Sequence, residues 1–165
     1  MLRHAAVVFV SLVLASGMAA AQPDVSVDTS QLKGPRPLED QTKAAAIRDY
    51  LESWQGMNEA FERGQPNTLG EDFIGTALDK LTDAIDEQAK AGVRTRYQDR
   101  VHHIQFLLYS PEGLSIELID DAQYDVQVLD HDKPIASVPA SARYIVVLTP
   151  AEVRWKVRVM QADSK

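Results

Sequence analysis

The chain predicts an α+β fold in which N-terminal helices pack into the concave face of a curved antiparallel sheet, a cone-shaped roll. Three observations carry this expectation. Apolar residues recur at spacings of three and four up to Gly92, alternate at a spacing of two beyond it, and are punctuated by turn residues at short intervals in the second half. Helices first and strands afterwards make an α+β plan, in which a helical layer covers one face of a sheet.

Ahead of this pattern, Met1–Ala21 reads as a cleavable export signal. Arg3 supplies the positive start, Ala5–Ala15 is an almost unbroken apolar run, and Ala19 and Ala21 stand at the −3 and −1 places of a signal-peptidase site. The apolar run is shorter than the roughly 20 residues of a membrane-spanning helix. The expected organisation is therefore a signal over 1–21, a flexible leader over 22–38, one domain over 39–161 and a tail over 162–165. An uncleaved signal acting as an anchor is the lesser alternative.

In the leader, three prolines and a glycine accompany no apolar period. The first helix follows from Glu39. Ile47, Tyr50, Leu51, Trp54, Met57 and Phe61 form its apolar stripe, with Asp40 as N-cap, Gly64 as stop and Pro66 beyond. A second helix is expected from about Glu71 to Lys90, burying Ile74, Leu78, Leu81 and Ile85, with Glu71 and Asp72 at its positive end. Gly75 inside it allows its first residues to be a separate turn. Strands are expected at Arg100–Tyr109, Leu114–Ile119, Ala122–Val128, Arg143–Leu148 and Val153–Met160. Asp120-Asp121 reads as an interruption and Asp130–Ala140 as a turn-rich connection. In the last strand Val153, Trp155, Val157 and Val159 alternate with Arg154, Lys156 and Arg158, one face apolar and the other basic.

Composition excludes several functions. With no cysteine in 165 residues, disulfides, thiol catalysis, thiolate metal sites and lipid attachment at the cleavage site are ruled out. After cleavage the net charge moves from −7 to −8, because the signal holds one Arg and no carboxylate. Residues 22–92 carry 14 carboxylates against 7 Lys and Arg, which argues against nucleic acid and against an anionic membrane surface. The expectation is a soluble periplasmic or secreted protein with no nucleic-acid partner and no membrane anchor once cleaved.

Four groups of residues are candidates for chemistry. His102 and His103 adjoin on a strand and point to opposite faces, so they cannot share a metal. If Ile104, Phe106 and Leu108 face the core, His102 does too, and it could act as general acid or base beside Asp99 or Tyr97. The alternative is a strand-end histidine bound to water or backbone. Tyr50, Trp54, Tyr97 and Tyr124 could wall a pocket for an apolar ligand, with Tyr50 or Tyr97 polarising a carbonyl, or could be plain core. Arg154, Lys156 and Arg158, with Arg143, could dock an acidic partner or simply face solvent. Asp120-Asp121 and Asp130-His131-Asp132 fit no calcium-loop spacing, and no metal or cofactor is assigned. No phosphate loop, nucleophile elbow or zinc-helix motif is present.

The amphipathic helix with Trp54 and Phe61 near its end, the FIGTALDKL helix, the strand ending in YSPEG and the closing VRWKVRVM strand together resemble the nuclear transport factor 2-like superfamily, over roughly residues 40–161. A clear third helix between early strands is lacking. The resemblance implies a cystatin-like cone with a pocket at its open end, and dimerisation through the outer sheet face. The superfamily spans isomerases, dehydratases, cyclases and secretion-assembly domains, so fold alone does not assign activity. The leading expectation is a non-catalytic binding or assembly module, working through a cone pocket or the outer sheet face on a small apolar molecule, a protein or a second copy. The alternative is an isomerase, dehydratase or cyclase using Asp99 or His102 as base and Tyr50 or Tyr97 as donor.

Overall fold

The computed structural model describes residues 22–163; the expected signal over 1–21 and the last two residues of the expected tail lie outside them. Helix α1 spans Asp40–Arg63 and buries Ala46, Tyr50, Ser53, Trp54, Met57, Ala60 and Phe61 along one side. Burying each large member of such a stripe is worth about 1.5–3 kcal/mol, more than helix propensity alone supplies. Asp40 is not the N-cap: Glu39 holds that place without a side-chain cap bond, and Asp40 pairs instead with Lys43 at 2.8 Å. Gly64 stops the helix at φ 63°, its N–H reaching the carbonyls of Ala60 and Phe61.

A 3-10 turn over Pro66–Glu71 separates α1 from α2, which spans Gly75–Lys90. Glu71 and Asp72 thus close the turn rather than opening a helix. Ile74 is 41% exposed, not buried, because it precedes the helix in an extended conformation and its N–H bonds the carbonyl of Val157. Ile85 is the buried large residue of α2, with Leu78 and Leu81 packed half-buried against the core.

Five strands form one sheet in the order β1 (Asp24–Asp28), β2 (Arg94–Tyr109), β3 (Ile116–Asp130), β4 (Lys133–Pro150) and β5 (Trp155–Ala162). From β2 to β5 all pairs are antiparallel, whereas β1 runs parallel to β2. Helix α1 crosses the inner face against β2 and β5, and α2 packs on β5. Ile104, Phe106, Ile116, Leu118, Val146, Leu148 and Val157 supply the sheet's side of the core, each fully buried.

The strands are longer and fewer than alternation predicts. Ile116–Ile119 and Ala122–Val128 are parts of one strand, β3, with Leu114 and Ser115 ahead of it, and Asp120-Asp121 does not interrupt it. Asp130–Ala140 is not a long connection: His131 and Asp132, at φ 46° and 69°, make a two-residue hairpin, and β4 starts at Lys133. The leader is not wholly flexible, since Asp24–Asp28 pairs with Val101–Gln105. Irregular pairing at Asp99/Val101 and Phe106/Leu108 shifts side-chain parity, so Leu108 is 36% exposed and Tyr109 takes the inward place. A similar shift opposite Val147/Leu148 ends the Val153–Val159 alternation: Val157 and Met160 face the core, and Val153 is 89% exposed. β5 ends at Ala162, one residue inside the expected tail.

Candidate functional site

The inner face carries a polar cluster among mainly apolar residues. His102 from β2 and Asp120 from β3 meet through Nδ1 and Oδ2 at 2.7 Å, and the Tyr50 hydroxyl from α1 donates to the same oxygen at 2.8 Å. All three are almost wholly buried, at 1%, 0% and 0% exposure. Asp99 lies on the other side of the imidazole, its Oδ2 at 3.9 Å from Nε2, an ion-pair distance too long for a hydrogen bond. The irregular pairing at Asp99/Val101 makes this possible, because it brings two residues three apart on β2 to the same inward side.

Aromatic rings close around the imidazole. Trp54 stands edge-on to His102 at 4.9 Å between ring centres, and Tyr124 and Tyr144 stand 5.7 and 5.6 Å from Trp54. The Tyr124 and Tyr144 hydroxyls bond each other at 2.9 Å. Tyr97 packs between Phe61 and Tyr124, at 5.1 and 5.7 Å. Every aromatic residue expected to wall a pocket is thus present in one group, but the group fills its own interior.

Electrostatics follow from this packing. Burial alone would lower the His102 pKa, yet the Asp120 hydrogen bond and the nearby Asp99 outweigh it and push the value up to about 9. The imidazole is therefore a cation at neutral pH. Burial, reinforced by the Asp120 charge, raises the Tyr50 hydroxyl well above its ordinary value. Burial and the Tyr124 bond likewise raise Tyr144, and burial raises Tyr97.

Four buried polar atoms of this region, Trp54 Nε1, Asp99 Oδ1, His102 Nε2 and Asp120 Oδ1, have no hydrogen-bond partner within the protein. A histidine held between two carboxylates has the composition of an acid–base site. A general base must reach substrate and be unprotonated when it acts, whereas this imidazole is 1% exposed and is held protonated by Asp120. Three surface depressions, of about 500, 610 and 500 Å³, are lined by other residues: the first by Lys33 and Leu107, the second by Pro66 and Leu78, the third by Asp121 and Arg143.

The basic residues of the last strand are largely engaged inside the chain. Arg154 lies between Glu52, at 3.1 Å, and Asp72, so it ties β5 to α1 and to the end of the 3-10 turn. Lys156 Nζ donates to the Gly70 carbonyl at 2.7 Å. Arg158 is exposed, and its carbonyl accepts from Thr76 Oγ1 at 3.2 Å. Arg143 faces Asp121 at 3.3 Å on the outer face. His103 is also outside, bonded to Ser26 at 2.7 Å.

Alternation missed an apolar centre on the outer face. Ile119 pairs directly with Ile145, Val147 pairs with Val159, and Leu107 lies on the adjoining strand; Ile145 is 36% exposed and the others are part-buried. Its signal was available in Ile145-Val146-Val147-Leu148, where both faces of β4 are apolar. The sequence reading also gave Asp120 a turn role, because a core carboxylate is recognisable only once its partners are known.

No protein-family model matches the sequence, and no curated protein is significantly similar to it. Among solved structures, the intermembrane space region of the chloroplast protein ARC6 is similar over 79% of this chain and 100% of that one, with 16% identity and a TM-score of 0.61. The putative calcium/calmodulin-dependent protein kinase II association domain from Xanthomonas campestris is similar over 82% and 92% of the two chains, with 14% identity and a TM-score of 0.44. The likeness to the ARC6 region is one of fold: the chain has a cone-like α+β fold with helices against an open, mostly antiparallel sheet.

Proposed function

We propose that the protein is an exported, non-catalytic assembly module of the nuclear transport factor 2-like kind, which binds a protein partner or a second copy through the outer face of its sheet. The observation that carries this reading is the sealing of the inner cluster. His102, Tyr50 and Trp54 are each at most 1% exposed, and of the catalytic candidates only Asp99 and Tyr97 are part-exposed, so the imidazole and the Tyr50 hydroxyl lie beneath the surface. The outer face offers apolar residues, Leu107, Ile119, Ile145, Val147 and Val159, interleaved with and bordered by Gln105, Glu117, Asp121 and Arg143. Apolar patches with polar rims are a usual mark of protein interfaces. Of the basic residues, Arg158 is exposed and could meet an acidic partner, while Arg143 on the outer face is paired with Asp121.

In this reading the chain is cleaved before Gln22 and works in the periplasm or outside the cell. Among the described residues no helix is long and apolar enough to cross a membrane. Native mass spectrometry of the protein recovered after export tests the proposal. A homodimer or protein complex is expected, dissociated by Ile145→Asp with little loss of monomer stability. A monomer carrying a retained small molecule would overturn it in favour of the isomerase, dehydratase or cyclase alternative.

A further inference from the structure

Residues Asp24–Lys33 lie along the outer edge of β2 as a segment made of strand β1 (Asp24–Asp28), a turn and a single bridge at Lys33. The paired residues are 77 positions apart, with no hairpin setting their register: Asp24 to Asp28 run beside Val101 to Gln105, and Lys33 bridges to Leu108, its N–H bonding Leu107 O at 2.8 Å. Such a ladder has the same geometry whichever chain supplies the strand.

Few side chains hold this segment. Ser26 bonds His103, Gln105 donates to Asp28 at 3.3 Å, and Val25 and Leu32 pack part-buried against the core, while Val27 is 40% exposed. Behind the strand comes Gly34-Pro35-Arg36-Pro37, with Gly34 at φ 125°. Proline disfavours helix in the residue before it, so this stretch stays extended and acts as a stiff arm. Its far end is fixed to the domain, because Arg36 lies over the Tyr109 ring at 5.0 Å and donates to the Pro111 carbonyl at 3.4 Å. The arm thus has one anchored end and one lightly held strand. Without that strand, β2 would present an unpaired edge, and such edges recruit strands.

We propose that the edge of β2 is a strand-exchange interface, in which the Asp24–Lys33 segment of one copy, with its strand β1, completes the sheet of a second copy, and that copy's segment is received in return. The same ladder, the Ser26–His103 bond and the Val25 contact form in either arrangement, so the balance rests on the arm and on protein concentration. Reciprocity closes the assembly at two copies. Ser26 and Asp28 lie on the outer-face side with His103 and Gln105, so the exchanged strands would border the apolar centre described above. The inference rests on the assembly reading and specifies a partner and a contact for it.

The absence of native cysteine makes a direct test available. Ser26→Cys and His103→Cys are made as separate full-length variants, co-expressed, recovered after export and oxidised. Exchange predicts a covalent pair at twice the monomer mass, joined between one chain of each variant, with its yield rising with concentration. The double variant should then also form covalent dimers. Exchange is overturned if the mixed pair is absent while the double variant closes its bridge within one chain, or if neither bridge forms. A dimer by native mass without the mixed pair would end the exchange proposal and leave the assembly reading standing; a monomer at all concentrations, recovered with no protein partner, would end both.

Discussion

His102 and Asp120 form a buried ion pair, Nδ1 to Oδ2 at 2.7 Å, on a face that is mainly apolar. Two strands supply it and one helix completes it, since Tyr50 from α1 donates to the same carboxylate oxygen. The pair therefore reports on the docking of α1 against the sheet.

Removing one partner should be costly. His102→Ala leaves Asp120 as a buried charge with one donor fewer, and breaking such a pair costs about 3–5 kcal/mol. Urea unfolding followed by circular dichroism should show a lowered midpoint. An unchanged midpoint would indicate that the imidazole is freely hydrated, as a pocket-lining catalytic group would be.

Tyr50→Phe keeps the ring and removes only the hydroxyl. Loss of its bond to Asp120 should destabilise the fold by about 1–3 kcal/mol. The two effects should not add, because both changes act on the same carboxylate. A double-mutant cycle on His102 and Tyr50 measures that coupling, and strict additivity would refute a shared network.

Stability should fall in alkaline solution. The folded-state pKa of His102 is raised from its ordinary 6.5 to about 9, so the imidazolium contributes fully below pH 6.5. Its contribution is lost as pH rises through 9, by roughly 3 kcal/mol at most. The groups facing it are Asp99, Asp120 and Tyr50, and Tyr50 stays protonated in this window because its own pKa is raised. Denaturation midpoints at pH 6 and pH 10 should differ in the native protein, and by much less in His102→Gln.

Gly56→Ala should destabilise, against the usual helical preference. An added Cβ would lie 2.5 Å from Asp72 Oδ2, and Asp72 cannot easily withdraw because Arg154 holds its other oxygen. Displacing that carboxylate breaks the tie among Glu52, Asp72 and Arg154, so the net cost should be about 1–3 kcal/mol after the propensity gain of alanine. Thermal unfolding would show a lowered midpoint. In an Arg154→Ala background the penalty should shrink, since Asp72 is then free to move.

Much of the architecture was legible along the chain. The α1 stripe of Tyr50, Trp54, Met57 and Phe61 obeys the helical period, and the stop at Gly64 is local backbone chemistry. Alternation likewise located the inward side of His102 through Ile104 and Phe106. Alternation failed where pairing is irregular, since one displaced residue reverses the faces: Leu108 turns outward and Met160 inward for that reason. It failed again at Asp120, where a carboxylate inside a strand resembles a turn until the donors from Tyr50 and His102 are in place.

By itself, the sequence determined the helices-then-strands order, the absence of thiol chemistry, and the residue types that could meet on the inner face, because periodicity and composition are local properties. Only the tertiary structure decided that His102, Asp120 and Tyr50 form a sealed network, that Arg154 is spent on Glu52 and Asp72, and that the leader supplies a strand. Each of these depends on residues tens of positions apart being brought within bonding distance, and no local pattern encodes which partner a buried charge or an open sheet edge will find.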